Sequence, residues 1–122
     1  MDTQGGRLQI TIGGATFDCR GKCSVKPAGV SVEAGANWSG KGYKTVKPIL
    51  ASCELSFDRG KGVPWDSNFL LGDDDVTIAE LDAGVTHYFT AAAKVGTPSI
   101  DTETGEVSGL SLQTDKYRQA RT

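Results

Sequence analysis

The residues able to do chemistry in this chain are few and scattered. Cys19, Cys23 and Cys53, with the sole histidine, His87, make a set of four soft ligands of the kind that holds a structural zinc ion. The spacing argues against that use. Zinc knuckles repeat a tight pair of ligands, whereas Cys53 and His87 stand alone, each inside an alternating segment that reads as a strand. A bridge between Cys19 and Cys23, or a bridge between neighbouring copies, requires an oxidising compartment. Three cysteines cannot all pair within one chain, and they read first as free thiols, with Cys53 a small core residue.

His87 falls on the same alternating face as Phe89, the position of a packed or rim histidine, and no activating partner is evident for it as a general base. Asp73, Asp74 and Asp75 match a calcium loop in charge only. The glycine and terminal glutamate of such a loop are missing, so they read as a solvated turn. Trp38, Tyr43 and Trp65, near Lys41, Lys44 and Lys47, suit base stacking in a small single-stranded nucleic-acid-binding β-barrel, which is the alternative reading of the chain. The charge balance opposes it: 13 basic residues against 15 acidic ones leave a net charge of −2, where phosphate neutralisation calls for a basic surface. No nucleophile stands with a base, and no phosphate loop is present. The sequence reads as a non-enzyme that needs no cofactor and no metal.

The elements that would carry a non-catalytic role are strands. At 122 residues the chain is long enough for one domain, 1–122, and 16 glycines with few runs of strong helix formers favour strands and turns. Residues 8–12 (LQITI) alternate, Gly13 and Gly14 supply a hairpin turn, and 15–18 (ATFD) return. In 30–38 (VSVEAGANW), Val30, Val32, Ala34, Ala36 and Trp38 share one face, opposite Ser31, Glu33, Gly35 and Asn37. Residues 37–48 (NWSGKGYKTVKP) surround Tyr43 with two glycines and three lysines and read as a projecting loop.

The run 49–57 (ILASCELSF) turns Ile49, Ala51, Cys53, Leu55 and Phe57 inward and Ser52, Glu54 and Ser56 outward. After a break at 58–62, Pro64 opens a single short helix over 65–71 (WDSNFLL). A strand over 73–81 follows. Then His87, Phe89, Ala91, Ala93 and Val95 are expected on one face of a long strand, opposite Tyr88, Thr90, Ala92 and Lys94. A loop over 100–106 leads to a return strand with Leu110 and Leu112 inward, and the polar tail 115–122 reads as a C-terminal arm. No apolar run approaches the roughly 20 residues needed to cross a bilayer and no secretion signal is evident, so a soluble, cytoplasmically made chain without membrane partners is expected.

The order of these features resembles the tail tube proteins of contractile and long-tailed bacteriophages, particularly the Mu-type tail tube family. The resemblance covers nearly the whole chain: a glycine-rich start and early hairpin over 8–17, the two-faced strand carrying Glu33, the loop 37–48, the strand 49–57, the short helix 65–71, and the strands 85–96 and 105–113. The three cysteines are not part of that pattern. The resemblance implies a mostly β fold, an antiparallel β-sandwich or barrel with one short flanking α-helix, oligomerising into a ring. It further implies hexameric rings stacked into a tube whose lumen conducts genomic DNA without specific binding. The partners implied are other copies of the chain and sheath, baseplate and tail-terminator proteins; the location implied is the virion tail, assembled in the host cytoplasm. On that basis Ser31, Glu33, Asn37, Ser52, Glu54 and Ser56 are the expected lumen wall, with the solvated face of a monomeric sandwich as the competing reading. Trp38, Lys41, Tyr43, Lys44, Lys47 and Pro48 are the expected inter-ring and inter-subunit contacts.

Overall fold

Alternating side chains become the two faces of a pleated sheet in the computed structural model, which describes residues 1, 4–19, 22–59 and 64–121. In β1 (Leu8–Ile12) Ile10 and Ile12 are buried, and Gly13 and Gly14, both at positive φ, turn the chain into β2 (Ala15–Asp18) as a two-residue hairpin turn requires. β3 (Ser24–Lys26) follows, then β4 (Val30–Ala36) and β5 (Gly42–Pro48), which pair only with each other. β6 (Ala51–Asp58) buries Ala51, Cys53, Leu55 and Phe57 on one side. Helix α1 (Ser67–Leu71), the one helix among the described residues, leads to β7 (Asp74–Glu80), β8 (Val85–Val95), β9 (Ser99–Ile100), β10 (Glu106–Thr114) and β11 (Lys116–Arg121).

Nine strands form one antiparallel sheet in the order β2-β1-β7-β8-β10-β6-β3, with β11 on β8 and β9 on β10. The two ends of this path meet where Cys19, just past β2, bridges to Phe57 of β6, so the sheet curls round a single core. Phe57, Phe89, Ile78 and Leu112 are fully buried there. Burial of each such side chain is worth about 1.5–3 kcal/mol, about what the ordering of its own residue costs. Phe17, Phe57, Trp65 and Phe69 stack in sequence at centroid distances of 5.1–5.6 Å and seal the end of the core beneath α1.

The helix is shorter than the expected span. Asp66 caps it by accepting a hydrogen bond from the Phe69 amide (3.1 Å), so it begins at Ser67. Trp65 lies outside it at φ 54°, its indole NH donating to the Arg59 carbonyl (3.0 Å).

Two further expectations are corrected. Residues 42–48 are not loop but strand β5, because Tyr43, Thr45 and Lys47 alternate with Lys44, Val46 and Pro48 and each pairs in register with β4. Only residues 37–41 turn, closed by the Asn37 amide on the Lys41 carbonyl (2.8 Å). The tail is not a loose arm, since Lys116–Arg121 pair with Thr90–Val85 of β8 and Tyr117 packs on Phe89. β10 and β11 run in one register along β8, from Ser111↔Val95 to Arg121↔Val85, making a single long hairpin. Parts of two expected turns, residues 20–21 and 60–62, lie outside the described residues.

The alternation expected along β8 breaks at Ala91. There φ is 51° and the amide donates to the Asp75 carboxylate (2.9 Å), a bulge opposite Asp75 that shifts the register with β7. The strand therefore changes face: His87 and Phe89 are buried before the bulge, Ala92 and Lys94 after it, while Ala91, Ala93 and Val95 point out.

Candidate functional site

The residues singled out for chemistry are mostly absorbed by the fold. His87 is buried, with Nδ1 2.6 Å from the Tyr117 hydroxyl and Nε2 2.7 Å from Glu80 Oε2. Both ring nitrogens are thus engaged in tying β8 to β11 and β7. Asp74 accepts from the buried Lys94 ammonium, which also donates to the carbonyls of Phe69 (3.0 Å) and Gly72 (2.8 Å). Asp75 holds the Ala91 bulge. Among the described residues, no three His, Cys, Asp or Glu side chains come together in a way that would hold a metal ion. Trp65 is buried in the aromatic cluster and is unavailable for base stacking, which leaves Trp38 and Tyr43 alone among the lysines.

Cys19 and Cys23 hydrogen-bond one another, and the Cys23 thiol also donates to the Ser56 carbonyl (3.6 Å). Burial, with the neighbouring Cys23, pushes the Cys19 thiol up to about 12. Cys53 is fully buried in β6, as its alternation indicated, and burial raises its thiol to about 12 as well.

What the chain does expose is a two-faced hairpin. β4 and β5 pair from Val30↔Pro48 to Ala36↔Gly42. One face carries Ser31, Glu33, Gly35, Tyr43, Thr45 and Lys47, with the Tyr43 ring lying over Gly35, where a Cβ would sit 2.5 Å from it. The other carries Val30, Val32, Ala34, Ala36, Val46 and Pro48 with Lys44 as its one charge, and it is uncovered: Val32 is 58% and Val46 53% exposed. Trp38 at the turn is fully exposed. Of the expected contact residues, all six (Trp38, Lys41, Tyr43, Lys44, Lys47 and Pro48) lie on this hairpin and are exposed. The periodicity of 30–38 revealed the apolar face of β4. The matching face on β5 was missed because its lysines masked a strand period.

The six expected wall residues divide. Ser31, Glu33 and Asn37 belong to the hairpin, whereas Ser52, Glu54 and Ser56 lie together on the outer face of β6. There Ser52 pairs with Gln113 and Glu54 with Ser111, and Ser56 donates to Glu106 (2.9 Å). Lys22, Glu54, Ser56, Ser108 and Ser111 line an open groove of about 410 Å³, and Ser99, Asp101 and Glu106 line a second hollow beside it. This polar band on β6 and β10 extends beyond the residues expected from sequence.

A family model described as phage tail tube protein matches residues 1–118. The chain belongs to the phage tail tube family. Its fold is shared with chains of solved structures at low sequence identity. A chain from the PVC extracellular contractile injection system, in its extended sheath-tube complex, is 16% identical with a TM-score of 0.59, over 95% of this chain and 89% of that one. Hcp1 from Flavobacterium johnsoniae is 12% identical with a TM-score of 0.58, over 96% and 97%. The tube-terminating cap of the anti-feeding prophage is 14% identical with a TM-score of 0.59, over 95% and 89%. No curated protein matches the chain. A member of this family is a structural component of a phage tail, and the mostly antiparallel β fold with one short helix is the one its sequence led us to expect.

Proposed function

We propose that this chain is the repeating subunit of a phage tail tube, that its copies close into hexameric rings, and that the rings stack into a channel conducting genomic DNA into the host. The observation that carries the reading is the hairpin β4–β5. A two-stranded ribbon is marginally stable alone in water, and this one holds Val30, Val32, Val46 and Pro48 in solvent, with none of the other described elements over them. In a tail tube protein the natural cover is a second copy. The ribbon's apolar face docks on an adjacent subunit, and Trp38, Lys41, Tyr43, Lys44 and Lys47 contact the same or the next ring.

The lumen wall is assigned to Ser52, Glu54 and Ser56 of β6 and to Ser31, Glu33 and Asn37 of the hairpin. A polar, acidic wall releases no counterions from DNA and so lets the polyanion slide, which fits a chain of net charge −2. Sheath, baseplate and tail-terminator proteins are the further partners, and assembly in the host cytoplasm precedes incorporation into the virion tail. Negative-stain microscopy of the purified protein tests the reading: rings or tubes are expected. A protein that sediments only as a monomer at high concentration overturns it.

A further inference from the structure

Cys19 and Cys23 sit in sequence along one edge of β6. Cys19 bridges to Phe57, and β3 resumes on that edge with Ser24 opposite Glu54, which sets Cys23 level with Leu55. Leu55 and Phe57 both point into the core, and both cysteines pack against it from the side. Two strand positions span about 6.6 Å at the usual rise. That lies within the roughly 4.4–6.8 Å separation of Cα atoms a disulfide joins. The two side chains already hydrogen-bond. Cys23 also lines an open cavity of about 220 Å³, with Leu8, Val25, Pro27, Glu80 and His87, which gives a small reagent a way in. Cys53 is fully buried and has no such access.

We propose that Cys19 and Cys23 form an oxidation site: a small disulfide oxidant such as oxidised glutathione converts the pair into an intramolecular disulfide that fastens the end of β2 to the start of β3 along β6. The Cys23 thiolate attacks one sulfur of the oxidant, forming a mixed disulfide and expelling one glutathione thiolate. Cys19 then loses its proton to solvent and attacks Cys23 Sγ, expelling the second glutathione. Two protein thiols are oxidised and one oxidant disulfide is reduced to two thiols. The raised Cys19 thiol assigns the first attack to Cys23 and makes closure the slow step. Burial is the largest cause of that shift and persists once Cys23 is capped, so closure speeds up about tenfold per pH unit on the alkaline side of neutrality. The site does not depend on the tube reading.

The test is mass spectrometry of the full chain incubated with oxidised glutathione, followed by a non-reducing tryptic digest. The expected product has lost two hydrogens, and the peptide ending at Arg20 stays joined to the one beginning at Cys23, although trypsin cuts at Arg20 and Lys22 between them. Cys53→Ala is expected to behave like the parent, while Cys19→Ser stops at a glutathione adduct on Cys23. A bond to Cys53, a bond between chains, adducts persisting on both Cys19 and Cys23, or both thiols staying unmodified overturns the proposal. The parent chain alone decides it, should a variant fail to fold.

Discussion

Gly96 and Gly109 face one another where β8 leaves its hairpin with β10, at φ 91° and 83°, so close that a Cβ on Gly96 would sit 2.8 Å from the Gly109 carbonyl oxygen. A Cβ on Gly109 would sit 3.0 Å from the Thr97 carbonyl oxygen. A side chain on Gly96 would push the Gly109 backbone and one on Gly109 the Thr97 backbone, and the left-handed conformation adds its own cost. Gly96→Ala and Gly109→Ala are each expected to lose about 1–3 kcal/mol of stability. Urea unfolding is the check: the midpoint should fall while the slope stays constant. An unchanged midpoint would mean that the hairpin relaxes freely at this point.

The Lys94 side chain is 1% exposed, and its ammonium is held by the Phe69 and Gly72 carbonyls and by Asp74 and lies 4.2 Å from the centroid of the Phe69 ring. It anchors the C-terminal end of α1 to β8. Removing it takes the donor from two carbonyls and from the partly exposed Asp74 carboxylate, so Lys94→Ala is expected to cost about 1–3 kcal/mol. Lys94→Met keeps the packing of the stem and should lose less. Equal unfolding midpoints for the parent and Lys94→Ala would contradict this account.

These two sites mark where the fold was legible in the sequence and where it was not. Segments with one phase of alternation and chemically distinct faces, such as LQITI in β1 and ASCELSF in β6, bury the residues their alternation indicates, but Ile49, expected inward with Ala51, lies ahead of β6 and is 46% exposed. β8 was not, because Ala91, Ala92 and Ala93 suit either face and conceal a change of phase; the bulge is set by a carboxylate sixteen positions away, Asp75. β5 and β11 were read as loop and arm because their lysines, arginines and tyrosines are strand residues of exposed or edge positions, and composition alone cannot separate such strands from loops. The apolar half of the hairpin surface was visible in Val30 and Val32. Its completion by Val46 and Pro48 needed the register.

Arg7 grips Asp82 through its guanidinium (2.8 Å) and its backbone amide (2.8 Å), joining the residue before β1 to the turn between β7 and β8. These hydrogen bonds hold the Asp82 carboxyl at about 2, below the ordinary 3.8. A carboxylate lowered in the folded state stabilises above its unfolded value and loses that contribution as pH falls toward the folded one, here from about 4 to about 2. An NMR titration of Asp82 should show its midpoint near 2 in the parent and near its ordinary value in Arg7→Gln. Identical titrations in the two proteins would remove the pair from the acid response.

The uncovered face of the hairpin makes assembly separable from folding. Val32 and Val46 are cross-strand partners, each more than half exposed, and neither touches the core. Replacing both with Lys sets two like charges opposite one another and should cost the folded subunit no more than about 1 kcal/mol. The same change places charge in the proposed inter-subunit contact, where an unpaired buried charge costs several kcal/mol. Sedimentation should then find monomers where the parent forms rings. Rings assembled normally by the double variant would exclude this face from the contact.

The division of the expected wall between β6 and the hairpin gives the channel assignment its sharpest test. Glu54 stands opposite Ser111 in a polar band that continues through Ser56 and Glu106, while Glu33 stands opposite Thr45 on the ribbon. Reversing either charge adds a cation to a surface that the tube reading sets against DNA, so Glu54→Lys and Glu33→Lys should each leave tubes intact and slow genome ejection. The retardation should weaken as salt rises, because it arises from counterion release. Ejection slowed by Glu54→Lys alone would confine the wall to β6 and β10 and place the hairpin's polar face elsewhere in the tube. Ejection unaffected by both would put the polar face of this sheet on the outside.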